Sequence, residues 1–360
     1  MRATLEVPGR GPITTYESAS KEEFNVLSRL AHAPAVKALA DDLWRQRKSI
    51  EALTRQHLSL GKHDTCCVLE PQKWIRGGFN ICVLLHVESA GRLPLPRIGA
   101  FQFNPNGTIT LTNRPLSCSI VLLENDGAPR TMQPNDTYNC TDAFASDMLT
   151  FHDQRFLRQP NAIFSDGDCR GQMAVKALLR VFAHRYIRRE RRHGPFLLQL
   201  TDLHASNVFV DDDWNVTCLI DLEWLCALPA EMLCVPYWLT GCSIDEIQEE
   251  RYDEFNEIRQ EFMRVFQEQE RRTRTEHGIA IADVMHDMWD SKGVWFWYCL
   301  ASINAMYFLL EGRLCPEDSL STNAEKVLSR FWCEDSETVV QTKLADRKDY
   351  DVELKRVFGE

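Results

Sequence analysis

Apolar residues follow two kinds of spacing along this chain, and the changes between them suggest its organisation. Over residues 21–58, Phe24, Leu27, Leu30, Val36, Leu39 and Leu43 recur at helical intervals that Pro34 interrupts. Residues 66–70 and 79–87 are short, apolar and partly β-branched, and they flank Arg76-Gly77-Gly78, which reads as strand, glycine turn and strand. Over 93–169 Pro, Asn, Asp and Thr break the pattern, which predicts an irregular connection with one short strand at 108–112. Helical spacing returns over 170–192 through Met173, Val175, Leu178, Leu179, Phe182 and Tyr186. Ser243-Ile244-Asp245-Glu246 is a capping-box pattern, predicted to open a long amphipathic helix with Ile247, Phe255, Ile258, Phe262 and Val265 on one side. Residues 294–310 are almost free of charge but carry Ser302 and Asn304, and they fall short of the roughly 20 residues that span a bilayer. A buried helix is the expectation there.

Charge narrows the set of partners. Lys and Arg number 41 against 52 Asp and Glu, a net charge of −11, so nucleic acid and anionic membranes are repelled on average. The run Arg188-Arg189-Glu190-Arg191-Arg192 can be read as a phosphate or nuclear-import patch, but a solvated helix C-terminus favoured by the dipole is preferred. The 13 cysteines are scattered apart from Cys66 and Cys67 and form no C-x-x-C pair, so reduced, buried thiols are expected. Residues 1–20 contain charges, two prolines and no apolar core segment, unlike a signal peptide. A cytoplasmic location is expected.

The candidate chemistry lies in FLLQLTDLHASNVFVDDDWNVTCLIDLEW, residues 196–224. An apolar run enters a polar loop at 201–206, and two apolar strands follow, joined by the turn 211–215. Strands joined so tightly are antiparallel, which sets Asn207 beside Asp221 and brings Asp202 close to both. Two carboxylates and an amide oxygen suit a hard divalent cation such as Mg²⁺, which keeps several waters for phosphate groups. Asn207 and Asp221 suffice to hold it, leaving Asp202 to accept a proton from, or orient, a hydroxyl nucleophile. The D-x-x-x-x-N spacing ahead of a second Asp is that of phosphoryl transfer in kinases.

On these residues the chain resembles the aminoglycoside phosphotransferase-like (choline-kinase-like) family, and more narrowly its large fungal branch. The resemblance rests on Asp202-Leu203-His204-Ala205-Ser206-Asn207, Ile220-Asp221-Leu222-Glu223 and Pro229-Ala230-Glu231. It extends to Asp168-Cys169-Arg170 and to the aromatic segment near Trp295, covering most of the chain from about Leu95 onward. It implies an α+β, protein-kinase-like fold, Asp202 as catalytic base or orienting residue, and Asn207 and Asp221 as Mg²⁺ ligands. Leu200 and Thr201 stand where the family usually has His and Gly, and Leu222 where Trp is common.

The same resemblance implies a mainly helical large lobe and an incomplete β-rich small lobe. Gly77, Gly78 and Asn80 match the phosphate-covering turn, where glycines let the backbone approach phosphate oxygens. Without the downstream motif, a hairpin-only reading of that turn is equally good. Arg92 is followed at once by Leu93-Pro94-Leu95-Pro96, a segment the family places after the hinge. The basic strand, acidic helix and hinge are therefore missing between Arg92 and Leu93. Either an internal coding segment is omitted or the chain is truly shortened, and the abrupt, family-like junction favours omission. The domains expected are a largely helical extension (1–62), a small-lobe remnant (63–92), a large catalytic lobe (93–345) and a tail (346–360).

The leading expectation is an ATP- and Mg²⁺-dependent phosphotransferase acting on a small-molecule hydroxyl, with neither nucleic acid nor membrane as partner. A catalytically inactive pseudokinase or binding module is the alternative. A metal-dependent hydrolase using Asp202, His204 and Asp221 ranks third, because no His-rich cluster accompanies His204.

Overall fold

The computed structural model describes residues 4–7, 11–22, 25–27, 30, 45, 48, 95–104, 109–210, 216–247, 249–272, 280–302, 304–316 and 319–359. The glycine turn with Gly77, Gly78 and Asn80, the strands at 66–70 and 79–87, most of the helix at 21–58 and the Arg92/Leu93 junction lie outside them. The chain is α+β and divides into two compact units. One comprises Met1–Leu85, Gln102–Thr110 and Lys348–Glu360; the other comprises His86–Phe101 and Leu111–Arg347.

In the first unit, strands β1 (Leu5–Val7) and β2 (Gly11–Ile13) form an antiparallel hairpin, with Leu5 opposite Ile13. The apolar spacing did not reveal this hairpin, because each strand is three residues long. Helix α1 (Tyr16–Ser20) follows, capped by the Thr15 hydroxyl on Ser18 N–H at 3.3 Å. Ile13, Ala19 and Val26 pack in one cluster with Tyr350, Leu354 and Phe358. Those last three residues belong to the final helix, Ser336–Phe358.

A four-stranded sheet runs in the order β4-β3-β8-β5. Its strands are β3 (Gly99–Phe103), β4 (Ile109–Asn113), β5 (Phe196–Leu200) and β8 (Leu225–Pro229), and β8 runs antiparallel to both β3 and β5. A separate two-stranded ladder joins β6 (Val208–Val210) to β7 (Val216–Leu219). The helices are α2 (Cys118–Asn125), α3 (Thr141–Arg158), α4 (Asp166–Tyr186), α5 (Glu249–Arg272), α6 (Ile281–Asp290), α7 (Gly293–Ala301), α8 (Met306–Leu309) and α9 (Thr322–Leu328). The last, α10, begins here at Ser336.

Three helices build the core. Phe144, Met148, Leu149 and Phe151 of α3, Val175, Leu179 and Tyr186 of α4, and Trp295, Phe296, Trp297 and Leu300 of α7 are buried in one cluster. Each such side chain contributes roughly 1.5–3 kcal/mol. α3 corrects the expectation of an irregular connection over 93–169. Its buried residues Phe144, Ala145, Met148, Leu149, Phe151 and His152 stand at i, i+1, i+4, i+5, i+7 and i+8 and line one face. That face has helical spacing, but the buried polar Thr141 and His152 and the Pro, Asn and Asp residues on either side dilute it in the sequence.

Among the described residues of 294–310 most side chains are buried, though Asn304 and Phe308 are exposed, and the segment is not one helix. α7 ends at Ala301, and the Ser302 hydroxyl accepts Ala305 N–H at 2.8 Å, a local side-chain bond that competes with helix continuation. α8 then runs into a π-helical turn, Leu310–Leu314. Among the described residues no helix is long and apolar enough to cross a membrane. The capping box at Ser243 and Glu246 forms, with Ser243 N–H donating to Glu246 Oε2 at 2.8 Å, but it caps a 3-10 turn and α5 starts at Glu249.

The basic run is not a solvated helix end. α4 stops at Tyr186, and Arg188 and Arg191 both pair with Asp287 while Arg191 also reaches Glu231. Arg192 pairs with Asp142 at 2.8 Å. The nine cysteines whose side chains are described are free thiols, five of them buried.

Two stability predictions arise here. A Cβ on Gly99 would meet the Asn113 carbonyl oxygen at 2.7 Å and Thr137 Cγ2 at 2.9 Å, and the backbone atom has no room to yield. Gly99→Ala is therefore expected to lower unfolding free energy by about 1–3 kcal/mol, read as a lower urea midpoint at unchanged slope. His152 is buried in α3 with its Nε2–H on the Leu300 carbonyl at 2.8 Å, and burial pushes its pKa down to about 3. The unfolded imidazole titrates near 6.5, so protons bind the unfolded chain first and stability falls as pH drops from 6.5 toward 3. Between pH 7 and 4.5 the loss from this group is on the order of 3 kcal/mol. Urea midpoints at the two pH values should show that loss in wild type and a smaller one in His152→Gln.

Candidate functional site

β5 delivers the chain to Thr201 and Asp202, and β8 returns alongside it with Leu225 opposite Leu200. Between them the chain makes a 3-10 turn at Ala205–Asn207, then β6, β7, and a second 3-10 turn at Leu222–Trp224. β6 and β7 pair antiparallel with Val208 opposite Leu219, as their spacing predicts. Beyond that pair Ile220 N–H donates to Asn207 O at 3.0 Å, so Asn207 sits beside the residue that precedes Asp221.

Asn207 is 3% exposed and fully engaged along its backbone, with its N–H on His204 O at 2.9 Å. Its side-chain Nδ2 donates to Asp202 O at 2.8 Å. That bond fixes the amide's sense, because the nitrogen must face the carbonyl and Oδ1 must face the other way. The loop pattern D-x-x-x-x-N thus closes on itself. Asp221 occupies the left-handed region at φ 56° and ψ 49°, one of two non-glycine residues there among those described. A short polar side chain tolerates this conformation better than most, and such outliers cluster where geometry is set by function.

The local field is negative. Burial raises the pKa of the Glu223 carboxyl, its own backbone bond opposes the rise, and the nearby charges of Asp221 and Asp202 add to it. Tyr237 is raised by burial and by the neighbouring Cys234 and Asp202. The Cys118 thiol is pushed up to about 12, first by burial and then by the charge of Asp202. Three groups from separate parts of the chain therefore sense Asp202, which places Asp202, Asp221 and Glu223 in one neighbourhood.

The donor set fits a hard cation. An amide oxygen turned away from its own loop, a carboxylate on the adjacent strand end and a negative surrounding field are what Mg²⁺ prefers, with waters completing its shell. The three-ligand hydrolase arrangement fits poorly. His204 Nδ1 is hydrogen-bonded to Ser206 Oγ at 2.6 Å. Among the described residues no group of three or more His, Cys, Asp and Glu is placed to hold a metal.

Of the residues singled out in sequence, Asp202, Asn207 and Asp221 come together, while Gly77, Gly78 and Asn80 lie outside the described residues. Asp168 and Arg170 serve the start of α4. Asp168 accepts Phe164 N–H at 2.8 Å, and Arg170 binds Glu337 with both terminal nitrogens at 2.8 Å. Cys118, Tyr237 and Glu223 were not singled out. Only Glu223 had a local signal, its place in Ile220-Asp221-Leu222-Glu223. No family model, curated protein or solved structure matches the chain, so the functional reading rests on these residues.

Proposed function

We propose that the chain is an ATP- and Mg²⁺-dependent phosphotransferase acting on the hydroxyl of a small molecule, with a large lobe of protein-kinase-like fold and a cytoplasmic location. The observation that carries this reading is the Asn207 amide, held by the Asp202 carbonyl at 2.8 Å, with the Asn207 carbonyl bonded to the N–H of Ile220 just before Asp221. Asp202 accepts the proton of the acceptor hydroxyl as its oxygen bonds to the γ-phosphorus and the bond to the β-phosphate bridging oxygen breaks, releasing ADP. Asn207 Oδ1 and the Asp221 carboxylate would hold Mg²⁺, which supplies neutralisation of phosphate charge. Rate enhancement then comes from positioning and electrostatics.

ADP release from Mg·ATP tests the reading, with glucose, ethanolamine, choline and kanamycin as acceptors. Release that needs both Mg²⁺ and one acceptor supports it, and no release under any condition counts against it. One observation favours a second reading, a non-catalytic binding module: Arg92 runs directly into Leu93-Pro94-Leu95-Pro96, with no basic strand between. That reading predicts acceptor binding without ADP formation.

A further inference from the structure

The β5–β8 ladder ends where the reacting carboxylates begin. One step beyond the Leu200–Leu225 pair, Thr201 N–H donates to Trp224 O at 3.0 Å. The Thr201 hydroxyl donates to the same carbonyl at 2.9 Å, and its oxygen accepts Cys118 N–H at 3.0 Å. Cys118 is the first residue of α2, and the first N–H groups of a helix have no partner within it. One hydroxyl therefore joins three segments: the loop that carries Asp202, the turn that follows Asp221, and the start of α2. Ser117, just before Cys118, caps the same helix by accepting Ile120 N–H with its hydroxyl, so the start of α2 is fixed where Thr201 meets it.

We infer that Thr201 is a positioning residue, its hydroxyl setting the separation of Asp202 from Asp221 through the Trp224 carbonyl and the first N–H of α2. The inference rests on the phosphotransferase reading for its chemistry. Asp202 follows Thr201 directly and Asp221 precedes Trp224 by three residues, so neither segment can shift along the other without breaking this junction. Valine has the shape of threonine but can neither donate to Trp224 nor accept from Cys118. The loop would then be held by the backbone bond alone, and displacements near 1 Å at a reacting group cost on the order of 10²-fold in rate.

The test compares wild type, Thr201→Val and Thr201→Ser by Mg²⁺-dependent ADP release, using whichever of glucose, ethanolamine, choline and kanamycin the wild type turns over fastest. Thr201→Val is expected to lower kcat by about 10–100-fold with KM for Mg·ATP within about threefold, and Thr201→Ser to stay within about threefold of wild type. A residue that only caps α2 would lower the melting temperature of the valine variant and leave kcat unchanged, which overturns the inference. A serine variant as slow as the valine one overturns it too. If Thr201→Val does not fold, Thr201→Ala takes its place with the same expectations. Wild-type protein that releases no ADP overturns the phosphotransferase reading and this inference with it, whereas an active wild type with an equally active valine variant overturns this inference alone.

Discussion

Asp202→Asn is expected to lower kcat by about 10³-fold, inside the range of roughly 10²–10⁴ that a positioned general base contributes. The substitution keeps the shape of the side chain and leaves the backbone carbonyl that receives Asn207 Nδ2 at 2.8 Å untouched. What it removes is the negative oxygen that can take a proton from an acceptor hydroxyl. An amide of the same shape fills the same space, so the melting temperature should stay within about 3 °C of wild type. KM for Mg·ATP should change little, because in the proposed reading Asn207 and Asp221 would carry the metal and both remain. Steady-state ADP release and thermal melting of the two proteins check the three expectations together. A fall in rate accompanied by an equal fall in melting temperature would mean that Asp202 is structural.

The second large effect is on stability, at Glu231 of the Pro229-Ala230-Glu231 element. Glu231 is 2% exposed, and its Oε1 accepts Arg188 N–H at 3.2 Å and Arg191 Nε at 3.4 Å. Its Oε2 has no hydrogen-bond partner among the described residues. Glu231→Ala would leave those donors without their acceptor and a cavity behind them, and is expected to cost about 3 kcal/mol. Glu231→Gln should cost only about 1 kcal/mol. The reason is the direction of its titration: burial raises the carboxyl's pKa, and the bonds from Arg188 and Arg191 offset that only in part. A raised pKa means the folded chain binds the proton more tightly than the unfolded one, so this group's contribution grows as pH falls through the folded value. An amide also keeps an oxygen to accept Arg188 N–H and Arg191 Nε, so it retains most of what the carboxyl contributes. Urea midpoints of the three proteins at pH 7 measure both costs, and equal losses in the two variants would show that the ionised form is the stabilising one.

What the sequence revealed and what it hid divide along the range of the interactions. The loop from Asp202 to Asn207, the β6–β7 pair and the turn into Asp221 are made by residues within about 20 positions of one another, so period and spacing expose them. The left-handed backbone of Asp221 left no trace in the pattern. α3 was missed although its buried face has helical spacing, because the buried polar Thr141 and His152 and the surrounding Pro, Asn and Asp residues dilute the apolar pattern. The basic run was misread because its partners, Asp287 and Glu231, lie 40 to 99 residues downstream. The Thr201–Cys118 bond crosses 83 residues, and no local rule links a threonine before a loop to the first residue of a distant helix. Thr201 was visible only as a departure from the family pattern, without a role.

The claim at the centre is that Asn207 and Asp221 present a metal–nucleotide site beside Asp202. Calorimetric titration of Mg·ATP into wild type and Asp221→Ala tests it most directly, because it needs no knowledge of the acceptor. The account predicts saturable binding by wild type that disappears when Mg²⁺ is withheld, and a loss of affinity of at least about tenfold in Asp221→Ala, the change that 1.4 kcal/mol produces. Equal affinity in the two proteins, or no binding by wild type, would contradict it.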